Sequence, residues 1–148
     1  MDAIQIHLYL NYFPLAGMLI GPLLFAYGIW RSDRRTKLLG LGLVLTTAIL
    51  TLAVFGTGEA AGKGADLMVG PPWTNIVHHK ASALWAFVVI ETTGAFALFG
   101  VVNLMRKKLL ANWLIVIVLG LSLITIGLTG WTVHLGRQIH TDTAPAVK

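Results

Sequence analysis

The sequence predicts an all-α integral membrane protein, a four-helix up-down-up-down bundle with both termini on the non-cytoplasmic side. Three observations predict it. Hydrophobic residues make up 56% of the 148 residues and charged ones only 11%, well off the balance of a soluble domain. The mean hydropathy of +0.77 is carried by apolar runs near the ~20 residues that an α-helix needs to cross a bilayer. The Lys and Arg residues sit in short turns between those runs. The whole chain, 1–148, is expected to form a single transmembrane domain.

The first span is expected over about 7–30 and stops at Arg31-Ser32-Asp33-Arg34-Arg35-Thr36-Lys37, too polar for lipid. The second covers about 38–55 and is expected to end at Gly56-Thr57-Gly58-Glu59, where helix propensity and hydrophobicity both fall. A Gly-rich connection with Pro71-Pro72 leads to the third span, about 78–104, closed by Arg106-Lys107-Lys108. The fourth runs over about 110–136. Trp30, Trp73, Trp113 and Trp131 fall near span ends, where interfacial aromatics collect.

Orientation follows from the basic residues. Arg31, Arg34, Arg35 and Lys37 in the first turn share one face with Arg106, Lys107 and Lys108 in the third, and that face is expected to be cytoplasmic. The net charge of +5 therefore reads as topology, and no nucleic-acid partner is expected. The start Met-Asp-Ala-Ile-Gln has no basic n-region and no small-residue cleavage site follows it, so the first span is expected to be retained. The location expected is the bacterial inner membrane.

The absence of cysteine excludes disulfides, thiolate metal sites, iron–sulfur clusters and covalent haem attachment within the chain. Gly58-Glu59-Ala60-Ala61-Gly62-Lys63-Gly64 has the wrong spacing for a phosphate loop, and no strand precedes it. No Ser/His/Asp set or pair of carboxylates is legible, so a stand-alone enzyme is not expected. Nor do four helices without inverted repeats suggest an alternating-access transporter.

Histidine placement is the informative feature. His7 begins the first span, His78 and His79 begin the third, His134 ends the fourth and His140 follows it, so all five fall on the periplasmic side. His7, Asn11, Pro14, Met18 and Gly21 form one helical stripe, and Gly120, Gly127, Gly130 and His134 another that is expected to pack inward. Because adjacent residues on a helix diverge by about 100°, His78 and His79 do not serve one cofactor equally, and His79 is favoured. Imidazoles meeting from separate helices suit haem b, with His7, His79 and His134 as axial candidates and Lys80, Arg137 or Lys63 for the propionates. Gly17, Gly21, Gly127 and Gly130 are expected to give clearance for the macrocycle. A zinc or copper ion would instead need three or four ligands, from His7, His79, His134 and Glu59 or Asp66. The structural alternative is interfacial histidines anchoring helix ends.

Glu91 lies about twelve residues, or ~18 Å of helix, from His79, close to mid-bilayer and roughly 120° away in phase. It reads as a proton-relay or quinone-facing group, or as an acid hydrogen-bonded between helices. Thr46, Thr47, Thr51, Thr125 and Thr129 are candidates to extend a polar path from it.

With these residues in place, the chain resembles the bacterial membrane family catalogued as domain of unknown function 2231. The resemblance rests on His7-Leu-Tyr-Leu-Asn11-Tyr-Phe13-Pro14, on Thr57-Gly58 before an acid, on His79, and on His134-Leu135-Gly136. It implies a small four-helix membrane fold and a site at these histidines, and no established reaction. Asn11 stands where many members carry a second His, and it is counted with His78 among the candidate cofactor-binding residues. Three functions follow as expectations. The first is an electron-transfer subunit like a b-type cytochrome, exchanging electrons with a periplasmic carrier or quinone. The others are a His/carboxylate zinc or copper protein and a cofactor-free accessory subunit of a larger membrane complex.

Overall fold

A computed structural model describes residues 10, 12–65 and 73–143, with side chains at 10, 12–58 and 77–137. Among the described residues there are four α-helices and no strand: α1 (Tyr12–Trp30), α2 (Arg34–Ala65), α3 (Trp73–Met105) and α4 (Asn112–Thr143). Each contains a segment long and apolar enough to cross a membrane. Helix α2 runs through Gly56-Thr57-Gly58-Glu59 to Ala65, where the sequence suggested a stop. Once a helix is nucleated each further residue adds a hydrogen bond, and this offsets the ~1 kcal/mol cost of a helical glycine. The run Gly58 to Gly64 is therefore helix backbone, not a phosphate loop.

Contacts between consecutive helices pair rising residue numbers with falling ones. Gly17, Gly21 and Gly28 of α1 meet Thr47, Val44 and Lys37 of α2. Phe55 stacks on Phe87 at 4.4 Å between α2 and α3, and Leu41 lies against Gly100. Phe96 of α3 meets Trp113 of α4 edge-on. Each helix touches its chain neighbours, and α1 also touches α4, which closes the four-helix bundle.

The interior is an assembly of small and hydroxyl-bearing residues around a few large ones. Met18, Phe25, Leu41, Val44, Ile90, Leu114 and Val118 form the core, and with them are buried Thr47, Thr51, Thr93, Ser122, Thr125, Thr129 and Thr132. The outward surface carries Leu23, Trp85, Val116 and Leu123. Apolar outside and hydroxyls inside is the arrangement expected where the surrounding solvent is hydrocarbon. Most interior hydroxyls donate to the carbonyl one turn back, as in Thr51 to Thr47, Thr93 to Val89, Ser122 to Val118 and Thr125 to Leu121.

Glycine sets the closest approach. A Cβ on Gly28 would fall 2.6 Å from the Lys37 amide nitrogen, and one on Gly40 would fall 2.7 Å from the Phe25 Cα. Both clashes are with backbone, which has little room to yield. The glycines expected to pack inward on α4 do not: Gly120, Gly127 and Gly130 have nothing within 4 Å of a Cβ position. Their phase lies opposite the buried stripe Leu114, Val118, Ser122, Thr125, Thr129 and Thr132, so that face of α4 points out of the bundle.

The two basic turns are built alike. Helix α1 ends with Ser32 at φ 52° and α3 with Lys107 at φ 57°. In each the next amide returns five residues, Asp33 to Gly28 and Lys108 to Asn103, both at 2.9 Å, which is the Schellman pattern of helix termination. Asp33 then caps α2, accepting from the Thr36 amide at 2.9 Å and from the Thr36 hydroxyl. Arg34 reaches across to the other turn and donates twice to the Leu104 carbonyl, at 3.0 and 2.7 Å.

Gly28→Ala and Gly40→Ala are each expected to destabilise by about 1–3 kcal/mol through overpacking, while Gly42→Ala, with open space at its Cβ, is expected to be neutral. Thermal unfolding of the three variants in detergent checks this. The hydroxyl and amide of Thr36 hold the Asp33 carboxyl below its usual value of 3.8. A carboxyl depressed on folding adds stability above the unfolded value and loses it as pH falls through the folded one. Asp33→Asn is thus expected to lower the melting temperature at neutral pH, with the gap from wild type closing below about pH 4.

Candidate functional site

On α3 the inward stripe begins at His79 and continues through Ser82, Ala86, Ile90, Thr93 and Ala97. His79 is half-buried and His78, one position earlier, is exposed, as expected for neighbours diverging by about 100°. The His79 Nδ1 lies 3.0 Å from the backbone carbonyl oxygen of Thr132 on α4. A carbonyl only accepts, so Nδ1 carries the proton and donates. In the neutral ring the lone pair then resides on Nε2, the atom able to ligate a metal or take a proton. A backbone carbonyl holding one ring nitrogen is a usual support for a ligating imidazole.

Two further groups fix the ring. Gly136 lies one turn past Thr132, and a Cβ there would stand 3.2 Å from His79 Cε1, so the missing side chain makes the seat for the imidazole. Ser82, one turn below His79, lies 2.7 Å from the Thr132 hydroxyl. The Thr132 hydroxyl donates to the Leu128 carbonyl, so its single proton is spent and Ser82 is the donor between the two. His79, Ser82, Thr132 and Gly136 thus form one polar seam between α3 and α4. The sequence marked His79 but not Thr132, although the spacing of Thr125, Thr129, Thr132 and Gly136 places all four on the side of α4 that faces α3.

His134 is exposed and stacks on Trp131 with centroids 5.6 Å apart. It follows Thr132 by about 200° of helical turn, on the far side of α4 from the surface that receives His79. Among the described residues no three His, Cys, Asp or Glu side chains are grouped to hold a metal ion. Trp131 is itself 57% exposed, and the pair has the character of an interfacial aromatic anchor. Lys80 and Arg137 are exposed at the same end of the bundle. His7, Asn11 and Asp66, with the side chains of Glu59, Lys63 and His140, lie outside the described residues.

The clearance expected from Gly17 and Gly21 is occupied, because Thr47 packs over the first and Val44 and Gly40 over the second. Gly127 and Gly130 are open but on the outward face. Among the described residues, then, the room a macrocycle needs is not provided by glycines between helices.

Glu91 is half-buried, and its Oε1 is enclosed without a hydrogen-bond partner, as is the Thr129 hydroxyl. Of the threonines considered as its relay, three are turned to their own helices: Thr47 donates to Leu43, Thr51 to Thr47 and Thr125 to Leu121.

With uniform ¹⁵N labelling, the neutral His79 ring is expected to appear as the Nδ1-protonated tautomer. The opposite tautomer would contradict the Thr132 hydrogen bond. No family model, curated protein or solved structure matches this chain.

Proposed function

We propose that this chain is a membrane electron-transfer subunit resembling a b-type cytochrome, with haem b held at the histidine end of the bundle, where His79 would supply a ligand nitrogen. The observation that carries the reading is the Nδ1 bond to the Thr132 carbonyl, which fixes the tautomer and aims a coordinating nitrogen without help from solvent. Haem would supply a one-electron couple. The chain's own residues would orient and support the imidazole: Thr132 through its carbonyl, Gly136 by leaving the seat open, and Ser82 by bracing Thr132. Because the glycines between helices α1 and α2 are filled, a macrocycle would sit at the end of the bundle, with His7 as the proposed second ligand and Lys80 and Arg137 as the proposed propionate contacts. His134 is the less favoured partner because its ring lies on the far side of α4.

The fold reading that accompanies this is an up-down-up-down bundle, supported by the opposed numbering of the helix contacts. Both termini then lie outside the cytoplasm, and the His79 end faces the periplasm of a bacterial inner membrane, an orientation supported by the basic residues at the other end. The resemblance to domain of unknown function 2231 agrees with this scheme. A periplasmic electron carrier or quinone is the partner that such a site would serve, in an oligomer or a larger membrane complex. The second reading is a zinc or copper site of His7, His79 and Glu59. What favours it is the lack of glycine-made room between helices, since an ion needs less space than a macrocycle.

Optical spectra of the purified protein, oxidised and reduced, decide between these. Haem binding is expected to give sharpened visible bands on reduction, abolished in His79→Ala and displaced in position or intensity in Gly136→Ala. A colourless protein with stoichiometric zinc or copper, lost on chelation, would replace the haem reading with the metal one. A colourless, metal-free protein whose stability is unchanged in His79→Ala would remove both and leave an accessory subunit.

A further inference from the structure

The end of the bundle opposite His79 carries a second feature that the proposed function does not use. Arg31, Arg35, Arg106, Lys107 and Lys108 are exposed and Lys37 is half-exposed. All six belong to the two turns that the Arg34–Leu104 hydrogen bonds join, so they form one patch although some seventy residues separate the turns. The one acid in these turns is Asp33. Its Oδ1 accepts from the Arg35 amide and its Oδ2 from Thr36, so its oxygens are engaged with the start of α2. Six cations thus face one carboxylate, whose charge lies beside Arg35, and the patch keeps a net positive charge.

Its surroundings specify the environment of the missing anion. Trp30 is 76% exposed, Met105 66%, Leu109 95% and Trp113 51%, so large apolar side chains rise to the same level as the cations. The Arg31 guanidinium lies 6.0 Å over the Trp30 ring, a cation–π placement at the bundle end. Cations ringed by exposed apolar and indole side chains at the end of spanning helices match a molecule that is anionic at its head and hydrocarbon behind it.

We infer that this basic end is a binding surface for anionic phospholipid, with the headgroup phosphate taken between the Arg31–Lys37 and Arg106–Lys108 turns and the acyl chains lying along Trp30, Met105 and Trp113. The inference rests on the chain spanning a membrane and is independent of any cofactor at His79. A basic residue near an anionic surface is worth about a fivefold gain in association, so even two or three engaged cations give a preference over neutral lipid on the order of tenfold or more.

The test reconstitutes the full chain in phosphatidylcholine nanodiscs doped with spin-labelled phosphatidylglycerol or spin-labelled phosphatidylcholine, and reads the motionally restricted fraction of each label. Wild type is expected to hold the anionic label on the order of tenfold more strongly, with the preference shrinking at high salt. The quadruple variant Arg35→Gln, Arg106→Gln, Lys107→Gln and Lys108→Gln, which spares the Arg34 clamp, is expected to lose most of it while retaining the same helical circular dichroism. Should that variant fail to fold, the salt titration of wild type carries the test. Equal restriction of both labels by wild type overturns the inference. So does full competition by soluble glycerophosphate at matched ionic strength, or a preference for an acidic peptide with no lipid selectivity. Failure of wild type to enter neutral nanodiscs at all would instead overturn the membrane-spanning reading beneath it.

Discussion

The fold depends on direct backbone contact between α1 and α2. At Gly28 and Gly40 the two helices approach so closely that a methyl group on either would meet main-chain atoms of the other. In hydrocarbon, association gains little from hiding apolar surface, because lipid tails are as apolar as leucine, so close packing has to supply the attraction. The Phe25 and Met18 side chains fill the space on the inner side of this contact. Helices α3 and α4 then complete a shell whose buried hydroxyls mostly bond within their own helices. A membrane-spanning chain has no water to satisfy such groups, and the bond to the preceding turn meets that need without a partner from another helix.

Much of this was legible in the sequence, and the reasons differ from element to element. Four spans are written in the lengths of the apolar runs, and the turns in the clusters Arg31–Lys37 and Arg106–Lys108. The reach of α2 through Gly56 and Gly58 was not legible, because propensity is a local average and an established helix elongates past weak residues. The function of the glycines was misread for a related reason. Spacing shows which glycines share a face but not which face meets another helix, and Gly120, Gly127 and Gly130 proved to lie on the outward one.

At the candidate site the sequence singled out His79 over His78 from phase alone, and the structure places His79 on the inward side. What the sequence did not reveal is the partner that fixes it. A backbone carbonyl has no residue identity, so the bond to Thr132 leaves no mark in the chain beyond the glycine one turn later that admits the ring. His134 was expected beside His79 because both sit at the same depth, yet depth and azimuth are independent on a helix. Two residues of difference from Thr132 send its ring to the other side of α4.

The cross-helix polar bonds have a mechanical consequence. Near its first turns α3 is tied to α4 through His79 and Ser82, and near its last residue it is tied to α2 through the Leu104 carbonyl and Arg34. Between these ends its threonines hold only to their own backbone, which leaves the middle of the helix without a polar pin to either neighbour. The register of α3 against its neighbours is thus pinned by polar bonds at its two ends and held between them by packing alone, as where Phe87 stacks on Phe55 and Gly94 admits Ala48.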